Sequence, residues 1–397
     1  LNIVAGETVM HLVERLRGSG PKRILALDGG GMRGLISIEV LKSVEDLLRA
    51  ELGRGRGFVL SDYFDFVAGT STGAIIASCI ALGMTVDEIQ RLYLASGKAA
   101  FQRAGWLKRF RYKYDHGRLT RLLQEVMGQD TTLGSPRLRT LLLLVMRNAT
   151  TDSPWLISNN PFATFNQRRR EDGTPLPDCN LDLPLWQLVR ASTAAPTYFE
   201  PEVVPLGPRN FVFVDGALTP YNNPTFVAVL TATLEAYRVG WATGEDRLLV
   251  VSIGTGKTAR ANAALDPRAM HLLYQASAVP EALLFAVQTQ QDMLCRVFGK
   301  CLVGGPLDSE VGDLLNCRGP VSPKLFTYLR YDAELSRQGL EALGLADIDP
   351  VRVQALDCVD YLDEIRRVGQ TIGARQVRAE HFSAFLRDGE PPQPADT

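Results

Sequence analysis

Gly69-Thr70-Ser71-Thr72-Gly73 places one serine between two glycines at G-x-S-x-G spacing. The residues before it, Phe66-Val67-Ala68, read as a buried strand, and Ala74 to Leu82 read as a buried helix. A serine on so sharp a strand-to-helix turn is held in a strained backbone shape with its hydroxyl projecting outward. Two residues either side the chain must do without side chains, because strand and helix nearly touch there. The helix N-terminus also directs free N–H groups and partial positive charge at the turn, which favours a developing alkoxide. The plainer reading is a glycine-rich turn that happens to contain serine. The order strand, elbow, apolar helix favours Ser71 as a nucleophile.

A nucleophile of this kind needs a base and a site for negative charge. Ile24-Leu25-Ala26-Leu27 is a short apolar strand running into Asp28-Gly29-Gly30-Gly31-Met32-Arg33-Gly34, followed by a helix from about Leu35 to Leu48. Gly29, Gly31 and Gly34 satisfy the dinucleotide fingerprint G-x-G-x-x-G. That fingerprint also wants an acidic residue closing the next strand about 20 residues on. Here the position falls in the loop-like run Glu51-Leu52-Gly53-Arg54-Gly55-Arg56-Gly57. The alternative is a nest of backbone N–H groups that holds an oxyanion, with Arg33 adding charge. A serine elbow on the following strand has no job in a dinucleotide site, so the oxyanion reading is favoured. Asp215 closes the apolar run Phe211-Val212-Phe213-Val214. An acid there is often a turn former, yet the exit of a strand is also where an open α/β sheet puts its chemistry.

Further elements follow from hydrophobic patterning. Val9, Leu12, Val13 and Leu16 recur at helical spacing, and Leu119 to Met127 is amphipathic. Leu141 to Val145 and Leu248 to Ile253 are fully apolar strands, with Trp155-Leu156-Ile157 as a neighbour and Phe199 to Leu206 paired with Phe211 to Val214. Phe162 to Asp182 reads as a polar loop, Leu185 to Ala194 and Met270 to Val297 as helix, and Leu325 to Tyr331 as a late strand. Gly254-Thr255-Gly256-Lys257-Thr258 mimics the end of a Walker A loop but lacks its first glycine, which would have to be Val251. Phe101–Arg118 interleaves basic and aromatic residues, which suits either an anionic membrane interface or a surface excursion with its aromatics packed inward.

Three segments in order, Asp28-Gly29-Gly30-Gly31-x-Arg33-Gly34, Gly69-Thr70-Ser71-Thr72-Gly73 and Asp215-Gly216-Ala217, resemble the signatures of the patatin-like phospholipases, bacterial type. Arg190 to Phe199 and Ser252 to Gly256 also resemble blocks of that family, and the likeness covers roughly residues 24 to 256. The resemblance implies an α/β chain with a three-layer α/β/α fold, a mostly parallel central sheet and a helical C-terminal extension. It implies a lipid acyl hydrolase of the phospholipase A type, working through a Ser71–Asp215 dyad and an acyl-enzyme. The N–H groups of Gly29, Gly30 and Gly31, with Arg33, would serve the oxyanion. No cofactor and no metal are implied. The third signature ends in Ala217 where many members carry glycine. Some bacterial members are antiphage effectors switched on by cyclic oligonucleotides, a role the resemblance admits. The competing readings are a Ser-His-Asp esterase for small soluble esters, drawing on His271 or His381 of the four histidines His11, His116, His271 and His381, and a catalytically lapsed binding protein.

Composition limits the rest. The chain has 397 residues, 46% of them apolar, with 43 Lys+Arg against 44 Asp+Glu and a net charge of −1. Nothing global therefore argues for a nucleic acid polymer as partner, and none is expected; any membrane attraction must come from a local patch. Six scattered cysteines without a C-x-x-C pair suggest free thiols in a reducing compartment. No secretory pattern is visible, and the opening at Leu1 leaves room for native residues ahead of it. The expectation is a cytoplasmic protein acting peripherally on a phospholipid membrane, possible as a homo-oligomer. Its expected layout is an N-terminal helix over 1–20, a catalytic domain over 21–331, a helical extension over 332–387 and a disordered tail over 388–397.

Overall fold

Strands β1 (Lys22–Leu27), β2 (Phe66–Thr70), β3 (Leu141–Asn148) and β7 (Leu248–Ile253) form the middle of one nine-stranded sheet. The computed structural model describes residues 12–100, 112–169, 172–257 and 272–386. The four strands are apolar almost throughout because the sheet is covered on both faces. Alternate residues divide cleanly: Leu25, Leu27, Val67, Leu142, Leu144 and Val251 enter one core, while Ile24, Ala26, Phe66, Ala68, Leu143 and Val250 enter the other. Burying each large apolar side chain contributes about 1.5–3 kcal/mol. A slip of one residue would exchange the two sets, so register is strongly fixed.

The strand order is β5 (Glu202–Leu206), β6 (Arg209–Asp215), β3, β2, β1, β7, β9 (Thr327–Tyr331), β8 (Lys300–Val303), with β4 (Ser153–Ser158) also paired to β3. Strands β1, β2, β3 and β7 run parallel, as do β8 and β9 beside them. The hairpin of β5 and β6 enters antiparallel. Of these, β8 is the strand that sequence patterning misses: only four residues long, it follows a long helix directly.

Strand β3 organises the site. It pairs with β2 over Leu141–Val145, with β6 over Met146–Asn148, and with β4 over Leu143–Asn148. Because β4 overlaps both other registers, β2 and β6 must share the opposite edge of β3. They run toward each other along it and end at adjacent rungs, Thr70 against Val145 and Asp215 against Met146. Trp155 of β4 packs on Phe211 and Phe213 of β6, with ring centroids 5.1 and 4.9 Å apart.

Helices Gly34–Glu51, Thr72–Ala81, Leu185–Ser192 and Leu362–Gln376 contribute to the first core, and Thr225–Thr233 and Leu272–Phe298 to the second. The chain is thus a three-layer α/β/α sandwich with a mostly parallel sheet. The last of these helices, Leu362–Gln376, lies against Gly34–Glu51: Ile365, Val368 and Ile372 are buried in the first core, and Arg366 donates to Glu39 at 2.8 Å. The described residues after Tyr331, up to 386, therefore contribute to the first core through Leu340, Val353, Ile365, Val368, Ile372 and Phe382.

Candidate active site

Ser71 sits at φ 54°, ψ −122°, a left-handed conformation that costs about 1–3 kcal/mol. The surroundings enforce it. A Cβ on Gly69 would lie 2.2 Å from the Gly73 carbonyl oxygen, and a Cβ on Gly73 would lie 2.2 Å from that of Leu27. Both glycines are needed for space, as the elbow spacing suggests. The Ser71 N–H donates to Ser192 Oγ at 2.9 Å, and that hydroxyl donates to the Val145 carbonyl at 2.6 Å. The turn is therefore bolted to the rung of β3 at which β2 ends.

At the facing strand end Asp215 meets it. Ser71 Oγ donates to Asp215 Oδ2 at 2.6 Å, while Oδ1 accepts the Ala217 N–H at 2.8 Å. Both residues are buried, at 9% and 3% exposure. Burial pushes the Asp215 carboxyl up to about 6; the bonds from Ser71 and Ala217 and the charge of Arg190 oppose that shift without cancelling it. A carboxylate with that affinity for protons, already bonded to a hydroxyl, is placed to remove its proton.

The glycine loop lies against the elbow, since a Cβ on Gly29 would be 3.2 Å from Ser71 Cβ. It is held from several sides. Thr255 Oγ1 donates to the Gly29 carbonyl at 2.9 Å, the Tyr93 hydroxyl donates to the Gly31 carbonyl at 2.5 Å, and the Met32 N–H reaches the Leu356 carbonyl at 2.8 Å. Gly30 admits no side chain, because its Cβ would lie 2.1 Å from Thr255 Oγ1. The sequence expectation of three glycine N–H groups and Arg33 acting together needs two corrections. The Gly29 N–H is committed to the Asn222 carbonyl at 3.1 Å, whereas those of Gly30 and Gly31 have no partner among the described residues. Buried Arg33 donates to the carbonyls of Gly30 and Gly256, each at 3.4 Å, so it braces the loop.

Beneath the loop lies a charged cluster. Arg330, inside β9, donates to both oxygens of Asp28 at 3.0 and 2.7 Å, to Asp332 at 2.7 Å and to Ser252 at 2.7 Å. Burial works against its charge, but Asp28 and Asp332 together outweigh that and hold it protonated. Asp332 also accepts the Gly256 N–H at 2.9 Å. The cluster thus anchors both segments that flank the loop. Sequence reading gave no role to Arg330, Asp332, Ser192 or Thr255. An arginine inside an apolar strand was the available signal for the first, and the last two lie in blocks that carried the family likeness.

The model of the patatin-like phospholipase family matches residues 25–229, just over half of the chain and the part that carries Gly30, Ser71 and Asp215. The chain belongs to the patatin-like phospholipase family. Among its relatives, a cGAMP-activated phospholipase of Vibrio cholerae is 30% identical over 219 residues, covering 52% of this chain and 56% of that one. A cUMP-AMP-activated phospholipase of Escherichia coli is 30% identical over 241 residues, covering 59% and 64%. Patatin-17 of Solanum cardiophyllum is 26% identical over 252 residues, covering 59% and 60%. The chain spans less than two thirds of the length of each. Thr255, Arg330 and Leu356, which hold the glycine loop of this patatin-like chain, all lie beyond the family match.

Among the described residues no histidine bonds to Ser71 or Asp215. His381 Nδ1 pairs with the Tyr331 hydroxyl at 2.9 Å, and His116 opens the helix His116–Met127. His11 and His271 fall outside the described residues, as do residues 101–111 of the basic-aromatic stretch. Of its remainder, Lys113 and the Tyr114 hydroxyl both bond Asp357. Tyr114 is buried against Tyr198, so this end of the stretch packs inward. Among the described residues no group of His, Cys, Asp and Glu has the arrangement of a metal site, and no helix is long and apolar enough to cross a membrane.

Proposed function

We propose that this patatin-like chain hydrolyses carboxyl esters of membrane phospholipids through a Ser71–Asp215 dyad. The observation that carries the reading is the 2.6 Å bond from a strained, buried serine to a carboxylate of raised proton affinity. As Ser71 Oγ attacks the ester carbonyl carbon, Asp215 takes its proton. The carbonyl oxygen becomes an oxyanion that the Gly30 and Gly31 N–H groups receive, aided by the N-terminus of helix Thr72–Ala81. Collapse breaks the ester C–O bond, and the proton passes from Asp215 to the departing lysophospholipid oxygen. Water then enters, gives a proton to Asp215 and its oxygen to the acyl carbon, and the fatty acid leaves as Ser71 recovers its proton. Arg33 acts by holding the loop in register.

The relatives named for activation by cGAMP and cUMP-AMP support a second element: hydrolysis in this chain is restrained until a cyclic oligonucleotide binds the active conformation more tightly. Such control suits a bacterial cytoplasmic effector of antiviral defence that acts on its host's own membrane. The test is fatty-acid release from mixed phospholipid vesicles, with and without a panel of cyclic di- and trinucleotides, alongside labelling of Ser71 by a fluorophosphonate. Neither release nor labelling under any condition would leave a lapsed binding protein.

Two results distinguish the dyad from a histidine triad. Since Asp215 must be ionised to act as base, kcat/KM is expected to fall about tenfold per pH unit below about 6 and to level off above it. A fall centred near 7 that disappears in a histidine variant would indicate a histidine base. Correspondingly, His381→Ala and His271→Ala should each retain most turnover, where loss of a triad member would cost about 10³-fold or more.

A further inference from the structure

The sheet has a second functional-looking end. At the N-terminal ends of β1 and β7, where Lys22 pairs with Leu248, a cavity of about 490 Å³ opens. Ser71 lies past the C-terminal end of the parallel strand β2, so a strand length of about 20 Å separates the two. The cavity is bounded by residues 16–22, by Phe162 after β4, and by residues 238–247 leading into β7. Asn160, buried, joins two of these segments by donating to the Tyr237 carbonyl at 2.6 Å.

Its lining carries four cations, Arg17, Lys22, Arg238 and Arg247, and no carboxylate. Among the described residues Arg17, Arg238 and Arg247 form no ion pair and donate no side-chain hydrogen bond. The nearby Asp65 is taken by Arg15 at 3.0 Å. Arg17, Arg238 and Arg247 are exposed, so water screens their mutual repulsion, and the lining presents a local patch of positive charge that attracts an anion. Two rings complete the lining. Trp241 is buried, with its indole N–H fixed on the Leu16 carbonyl at 2.8 Å and the Lys22 ammonium 5.6 Å from its centre. Phe162 lies under the Arg17 guanidinium at 4.6 Å. The volume is within the range of small-molecule sites.

We propose that this cavity binds a phosphate-bearing nucleotide, with Arg17, Arg238 and Arg247 on its phosphates and the rings of Trp241 and Phe162 against its bases. Guanidinium groups match phosphate oxygens in pairs, and aromatic or guanidinium planes receive nucleobases. The assignment rests on the regulatory reading above for its consequence: β1 begins at Lys22 in the cavity and ends by running into the glycine loop, so an occupied cavity touches the strand that leads to the Gly30 and Gly31 N–H groups.

The test uses this chain and the triple variant Arg17→Gln/Arg238→Gln/Arg247→Gln, with matching circular dichroism and an unchanged urea midpoint as controls for folding. Calorimetric titration with cGAMP, cUMP-AMP, ATP and inorganic pyrophosphate should give saturable binding of at least one nucleotide. Pyrophosphate should compete, and the triple variant should bind at least tenfold more weakly. No nucleotide binding to the native chain, equal binding by the variant, or variant-sensitive binding only of phosphatidylglycerol vesicles would each overturn the assignment. Stimulation of vesicle hydrolysis that survives in the variant would also overturn it while leaving nucleotide control intact. Variant-sensitive binding with no stimulation would sustain the site and remove the control.

Discussion

Ser71→Ala and Asp215→Asn are each expected to lower ester hydrolysis by about 10⁴- to 10⁶-fold, and together by little more, because the pair acts as a unit. The two should differ in stability. Buried Asp215 has its folded-state proton affinity raised from the usual 3.8 to about 6. A group raised in this way favours the fold below its unfolded value, and that advantage is lost as pH rises through about 6. Above that pH the native chain carries an ionised, desolvated carboxylate, a disadvantage of up to about 3 kcal/mol at 1.36 kcal/mol per unit. Asparagine keeps the shape and an oxygen that can accept from Ser71, without the charge. Asp215→Asn should therefore melt higher than the native chain at pH 8 and nearly level with it at pH 4. An inactive variant with no such pH-dependent gain would contradict the description of Asp215 as a buried, proton-avid base.

The second large effect concerns the cluster under the glycine loop. Arg330→Leu removes the only cation that bonds Asp28 among the described residues and leaves that buried carboxylate facing the one of Asp332. Breaking one side of a buried pair typically costs about 3–5 kcal/mol, which should appear as a lower urea midpoint with an unchanged slope. Adding Asp28→Asn and Asp332→Asn to that variant should restore a substantial part of the loss, because the uncompensated charges go with them. A triple variant no more stable than Arg330→Leu would mean that packing, not charge, is what Arg330 contributes.

Much of this site was legible in the sequence because its central constraints are local. The elbow spacing reflects a close approach within five residues, so Gly69 and Gly73 announce it. The apolar runs of β1, β2, β3 and β7 announce a sheet buried on both faces. The length-four strand β8 carried no such pattern, and the family-like blocks around Ser192 and Thr255 could not disclose which hydroxyl bonds which backbone atom. The commitment of the Gly29 N–H was out of reach for the same reason: its partner, Asn222, is distant in the chain and is engaged through a carbonyl that every residue possesses. Arg33 illustrates the limit of reading charge from a motif. Its position beside three glycines suggests direct contact with an anion, whereas two carbonyl oxygens claim it first. Where a guanidinium points is decided by acceptors that the one-dimensional pattern does not contain.

The meeting of β2 and β6 along one edge of β3 sets how this protein would wear out. Five residue pairs join β2 to that edge and three, Met146–Asp215, Arg147–Val214 and Asn148–Phe213, join β6, a pairing that the Ala149 N–H extends by donating to the Val212 carbonyl at 2.8 Å. Ser71 and Asp215 thus sit at the ends of strands joined to β3 over unequal lengths. Detaching β6 parts the two reacting groups while the buried middle of the sheet stays whole. If that detachment comes first, ester hydrolysis should be lost on ageing before the fold melts, and Trp155→Ala, which removes the packing on Phe211 and Phe213, should widen the gap.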